Sequence, residues 1–123
     1  MIESAVVTAL VAALAVAGVL LPLVPAEAIV ETGIALIAAG TLFGLPTGCW
    51  YHVRLWAVLA PLDALPAGWW IRPASLHPRI PSDQRSSVLR WFYVGGLGFF
   101  AIVLGCFAVA AGVLMEAHRS GAF

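Results

Sequence analysis

Three residue types in this chain could do chemistry, namely the histidines, the two cysteines and the few carboxylates, and their spacing decides how much each can do. His52 and His77 could ligate a metal or haem through a ring nitrogen, but both lie in the segment between spans two and three and no histidine falls inside an expected span. Ordinary hydrogen bonding beside Tyr51 and Pro78 is the expected role. Cys49 and Cys106 lack metal-type spacing and are read as buried free thiols. A bridge between them is rejected: Cys106 lies some sixteen residues past Arg90, and about 20 Å of axial separation would have to vanish. Glu27 and Glu31 are one helical turn apart, a spacing that suits cation binding or a proton step, although the N-terminus of a helix explains acidic residues with less. No nucleophile with its base, phosphate-cradling loop or catalytic carboxylate pair is present. No bound cofactor or metal is expected, and stand-alone catalysis stays open as the least favoured reading.

The elements that carry these residues follow from composition. Of 123 residues, 63% are hydrophobic and 10% charged, too apolar for an ordinary soluble domain. Between Glu3 and Glu27, and again between Arg90 and Glu116, no side chain is charged. The expected fold is an all-α membrane protein, a single domain with three transmembrane helices over about residues 4–24, 28–50 and 88–115. The first two should form a hairpin across Pro22 and Pro25, where an interior proline removes a helix donor. The third should start after Ser86 and Ser87, as serine caps free amides, and is long enough to tilt. Ala26-Glu27-Ala28 offers a small-x-small cleavage pattern, but the first residues carry no lysine or arginine, so a retained anchor is the preferred reading.

Residues 51–87 form the connection between spans two and three. Arg54, Arg72, Arg79, Arg85 and Arg90 crowd into it or its edge, whereas the Pro25 turn holds only carboxylates. The arginine bias places the N-terminus and this segment in the cytoplasm and the C-terminus, with Arg119, outside a bacterial inner membrane. Trp50, Tyr51, Trp56, Trp69, Trp70, Trp91 and Tyr93 would form an aromatic belt on the same side. Residues 53–62 are too short to span, so they should lie along the interface or, because Pro46, Pro61 and Pro66 break helices, form a re-entrant loop. Three prolines between Arg72 and Pro81 predict extended loop there.

Small residues mark where helices should meet, since association in lipid depends on close backbone approach. Gly40, Gly44 and Gly48 recur every fourth residue in the second span. Gly98, Gly105 and Gly112 share one face of the third with Ala101 and Ala108, and Ala5, Ala9, Ala13 and Ala17 line the first. The favoured expectation is an accessory or assembly subunit whose glycine faces dock a membrane-protein partner or a second copy. The alternative is a lipid- or small-molecule-binding membrane protein or carrier component using His52, Arg54, Trp69, Trp70, Arg72 and His77. Zero net charge gives no support for nucleic-acid binding.

Overall fold

The structure, a computed structural model, describes residues 2–122, with the side chains of residues 2–6, 9, 10, 14, 17 and 21 left undescribed. All regular structure among the described residues is helical: α1 (Ile2–Leu20), α2 (Ala26–Ala39), α3 (Leu45–Leu59) and α4 (Ser82–Arg119), joined by short 3-10 turns. A π-helical turn, Gly40–Gly44, welds α2 to α3. The result is one continuous helical run, Ala26–Leu62, of 37 residues, laid antiparallel against the 38 residues of α4. Both are long and apolar enough to cross a membrane.

Pro46 therefore does not break the second apolar segment. A proline inside a helix loses one amide donor and crowds the carbonyl four residues back. Here it follows directly on the π turn, where the ladder is already widened. Thr47 supplies a donor at the same place, its Oγ1 donating to the carbonyl of Phe43 at 2.7 Å and of Gly44 at 3.1 Å. Three expectations are corrected as a consequence. Residues 53–62 continue the helix, packing on α4 and not folding back along α2, so the segment is not a re-entrant loop. The stretch after Arg72 is a 3-10 turn, Pro73–Arg79, and not extended chain. The last helix starts at Ser82, behind Pro81, rather than after Ser87, with Asp83 in the first turn where the helix dipole favours negative charge.

Glycine sets the distance between the two long helices. A methyl group on Gly105 would lie 2.6 Å from the Gly33 carbonyl oxygen, and one on Gly40 would lie 2.6 Å from that of Gly98. One on Gly98 would run into the backbone of Gly44. At Gly112 the obstacle is Val30, 2.6 Å away, and at Gly95 it is the Cα of Gly48 at 3.1 Å. From Gly33 and Gly105 to Gly48 and Gly95 the two helices approach backbone to backbone. Gly33 and Gly95 belong to this seam although four-residue spacing does not select them, and Gly48 serves it as the surface that Gly95 meets.

The expected packing of the first two segments against each other is not seen among the described residues. Among the described residues α1 makes no substantial contact with α2, α3 or α4 and packs chiefly on the turn Leu21–Leu23. The glycine face of α2 is taken by α4, and α1 offers no glycine row in exchange. Of its expected alanine row, the side chains of Ala5, Ala9 and Ala17 lie outside the described residues.

A capped end and its candidate site

The distal ends of α3 and α4 and the turns between them build a second kind of packing. Tyr51, Leu55, Val58 and Leu59 recur at helical spacing on one face of α3. Leu76, Ile80 and Val88 close over them to make one buried cluster, with Ala64, Leu65, Trp69, Trp91 and Phe92 packed around it. The largest fully buried side chains described, Leu55, Leu59, Leu76, Ile80 and Val88, all lie in this cap. Two residues with positive φ shape the chain that crosses it: Asp63 at 51° and Gly68 at 70°. At Asp63 the helix ends with the Ala64 amide donating to the Leu59 carbonyl and the Asp63 amide to that of Ala60, a pattern that satisfies the last carbonyls of the helix.

His77 is half-buried in this cap, held between Tyr51 and Phe92. Its Nε2 lies 2.7 Å from the Tyr51 hydroxyl, and its ring meets the edges of Tyr51 and Phe92 at centroid distances of 6.0 and 4.8 Å. Tyr51 is 3% exposed, and a buried hydroxyl needs an acceptor for its proton. No other acceptor is bonded to it, so Tyr51 donates to Nε2 and the ring proton of neutral His77 resides on Nδ1. Burial lowers the His77 pKa from its ordinary value of 6.5, because the imidazolium would lose hydration there. His52 is fixed separately, its Nδ1–H donating to the Gly48 carbonyl at 2.9 Å, with the Trp69 ring 6.1 Å from its own.

The arginines rim the cap. Arg54 donates to Ser87 Oγ at 3.1 Å, Arg79 to the Ala64 carbonyl at 3.0 Å and Arg85 to the Ile80 carbonyl at 3.1 Å. Arg72 and Arg90 are exposed with no protein partner, and none of the five forms an ion pair with a carboxylate among the described residues. Trp50, Trp56 and Trp70 are exposed at the same end.

Of the six residues expected to form a ligand segment, the structure brings His52, Trp69 and His77 together around Tyr51. Arg54 is tied to α4, while Trp70 and Arg72 point outward. Tyr51, Phe92 and Arg85 complete the arrangement. The spacing of Tyr51 with Leu55, Val58 and Leu59 carries the signal for a buried helix face, which stays hidden as long as Pro46 is taken for a break.

The other candidates fall elsewhere. Cys49 and Cys106 are exposed free thiols and not buried ones. Glu27 and Glu31 line a cavity of about 550 Å³ at the opposite end of the hairpin, with Glu116 and Ser120 across from them on and just beyond α4. No three His, Cys, Asp or Glu side chains among the described residues converge as metal ligands would. No known protein family, curated protein or solved structure matches the chain, so its chemistry is read from this geometry.

Proposed function

We propose that the protein is a small integral membrane protein whose helical hairpin crosses a bilayer and whose arginine-rimmed cap binds anionic lipid at one interface. The observation that carries this reading is the division of the hairpin along its length. From residue 32 to residue 51, about 30 Å of helix, no charge occurs, the contact with α4 is backbone on backbone, and Leu42, Phe43 and Leu45 face outward. On α4 the matching stretch turns Leu97, Phe99, Phe100, Leu104 and Phe107 outward. That length fits a hydrocarbon core, and outward apolar side chains over a small-residue seam are what lipid as solvent favours. Beyond residue 51 the same two helices hold a core of large side chains beneath arginines and exposed tryptophans, the pattern suited to headgroups. The arginine bias puts the cap on the cytoplasmic side, the Ala26 end outside, and α1 as a third span with its start inside.

The test is native mass spectrometry of the protein released from nanodiscs that mix phosphatidylglycerol and phosphatidylcholine. Retention should favour the anionic lipid, and replacing Arg72 and Arg90 by glutamine should lower that preference about fivefold for each charge removed. Equal retention of both lipids by the unaltered protein would sink the reading.

A second reading, an accessory subunit, is favoured by one observation: α1 is apolar and, among the described residues, makes no substantial contact with the hairpin. The glycine faces of α2 and α4 occupy each other, so a partner would dock on α1. A photo-crosslinker at Val16, which is exposed, should then capture one defined protein in the native membrane, and capture of lipid alone would exclude this.

A further inference from the structure

The cap carries an open cleft whose few polar side chains, His77 and Arg85, are both nitrogen-bearing. His77, Pro78 and Arg85 form its walls, its volume is about 340 Å³, and no carboxylate lines it. We propose that this cleft is a phosphate-binding subsite in which His77 Nδ1–H and the Arg85 guanidinium hold the phosphate of an anionic lipid headgroup or of free inorganic phosphate. The assignment deepens the anionic-lipid reading above and rests on it for the lipid source alone.

Two donors are fixed in place by different means. The bond from Tyr51 to Nε2 leaves the proton of His77 on Nδ1, and that nitrogen has no protein partner. It is not sealed away either, since no side-chain nitrogen or oxygen among the described residues is both buried and unpartnered. Leu76 and Ile80, each 2% exposed, anchor the turn on either side, and the rings of Tyr51 and Phe92 prevent the imidazole from rotating. Across the cleft, Arg85 is pinned at Nη2 by the Ile80 carbonyl, which leaves Nε and Nη1 without a protein acceptor. Guanidinium donors in a fixed fork match the geometry of phosphate oxygens, and a donor already held in its bound orientation loses little entropy on binding. Pro78 presents no amide that could compete for the anion and stiffens the wall between the two donors.

The experiment uses the full chain, labelled with ¹⁵N-histidine, in nanodiscs of phosphatidylcholine. Inorganic phosphate is titrated into one sample, and the phosphatidylglycerol or phosphatidate content is raised in another. The His77 Nδ1 resonance should move saturably. Arg85→Gln should weaken the apparent affinity about tenfold, since a charge-assisted pair is replaced by a neutral one while the amide can still donate to Ile80. Arg85→Lys, which keeps the charge and loses the fork, should fall between the two, and Arg90→Gln should leave the His77 shift unchanged. A response to inorganic phosphate identifies free phosphate as sufficient, and a response to anionic lipid alone identifies the headgroup. No response to either, or one that Arg85→Gln leaves intact in a protein with unaltered helicity, overturns the subsite, whether or not Arg72 and Arg90 still govern lipid retention. Loss of that retention effect with a surviving phosphate response would instead overturn the anionic-lipid reading and leave the subsite standing.

Discussion

The same pair of helices is packed in two opposite ways. Along the seam, Gly33, Gly40, Gly44, Gly98, Gly105 and Gly112 bring backbones together, while Leu42, Phe43, Leu97, Phe99, Phe100, Leu104 and Phe107 point away. In the cap, Leu55, Leu59, Leu76, Ile80 and Val88 point inward and the arginines point away. A seam gains from dispersion and close approach where the surroundings are as apolar as the side chains, whereas a core gains from removing apolar area from water. The change from one to the other falls near Tyr51, and under the proposed membrane reading it would coincide with a change of solvent at that level.

The largest effect that would sharpen this contrast is expected from the core. Leu55 is fully buried, and Leu55→Ala should cost the cap about 2–5 kcal/mol, the transfer term plus the cavity left behind. Hydrogen exchange should show protection lost over residues 52–92 while amides at 33–44 and 98–112 stay protected. If both regions lose protection together, the two packings form one cooperative unit and the division is only geometric.

The converse change strikes the seam. Gly98→Ala places a methyl against the backbone of Gly44, an obstacle that cannot rotate aside, and should cost about 1–3 kcal/mol by forcing the helices apart. At Gly96, two residues away, a methyl would meet nothing within 4 Å, so Gly96→Ala should raise stability by roughly 0.5–1 kcal/mol through helix propensity alone. Unfolding in mixed micelles would report both. Equal effects of the two substitutions would remove the seam from the account.

How much of this is legible in the sequence differs between the two regions for a physical reason. The seam can be read from Gly40, Gly44, Gly98, Gly105 and Gly112 because glycine has a cost in a helix and a regular spacing, and only its partner needs the structure. Those glycines meet across one chain, which their spacing does not reveal. The cap escapes a sequence reading because its signal is distributed. Tyr51, Leu55 and Leu59 lie on α3, Leu76 and Ile80 on a turn and Val88 on α4, so no local window contains the core. Proline misleads twice, since Pro46 is accommodated by the π turn and Pro73 and Pro78 fit a 3-10 turn. His77 stands out by its type, but its partner Tyr51 is 26 residues away and Arg85 is on another element.

The smallest effect tests whether the cap holds its histidine as described. Tyr51→Phe removes the donor to Nε2 and should cost about 1 kcal/mol above pH 7, where His77 is neutral. Because burial sets the folded-state pKa of His77 below 6.5, the unfolded chain binds the proton more readily, and stability is complete above that value and falls as pH drops through the folded-state pKa. The groups facing the ring are Tyr51 from α3 and Phe92 and Arg85 from α4, with no carboxylate to favour the imidazolium. Once protonated, Nε2 becomes a donor and the Tyr51 hydroxyl loses its acceptor, so the native bond is worth less in acid. The stability gap between Tyr51→Phe and the unaltered protein should therefore narrow between pH 7 and pH 5, and His77→Gln should flatten this part of the profile. A gap that widens as the pH falls would mean that the histidine donates to the tyrosine, and the proton would then be missing from Nδ1, the nitrogen proposed to hold the phosphate.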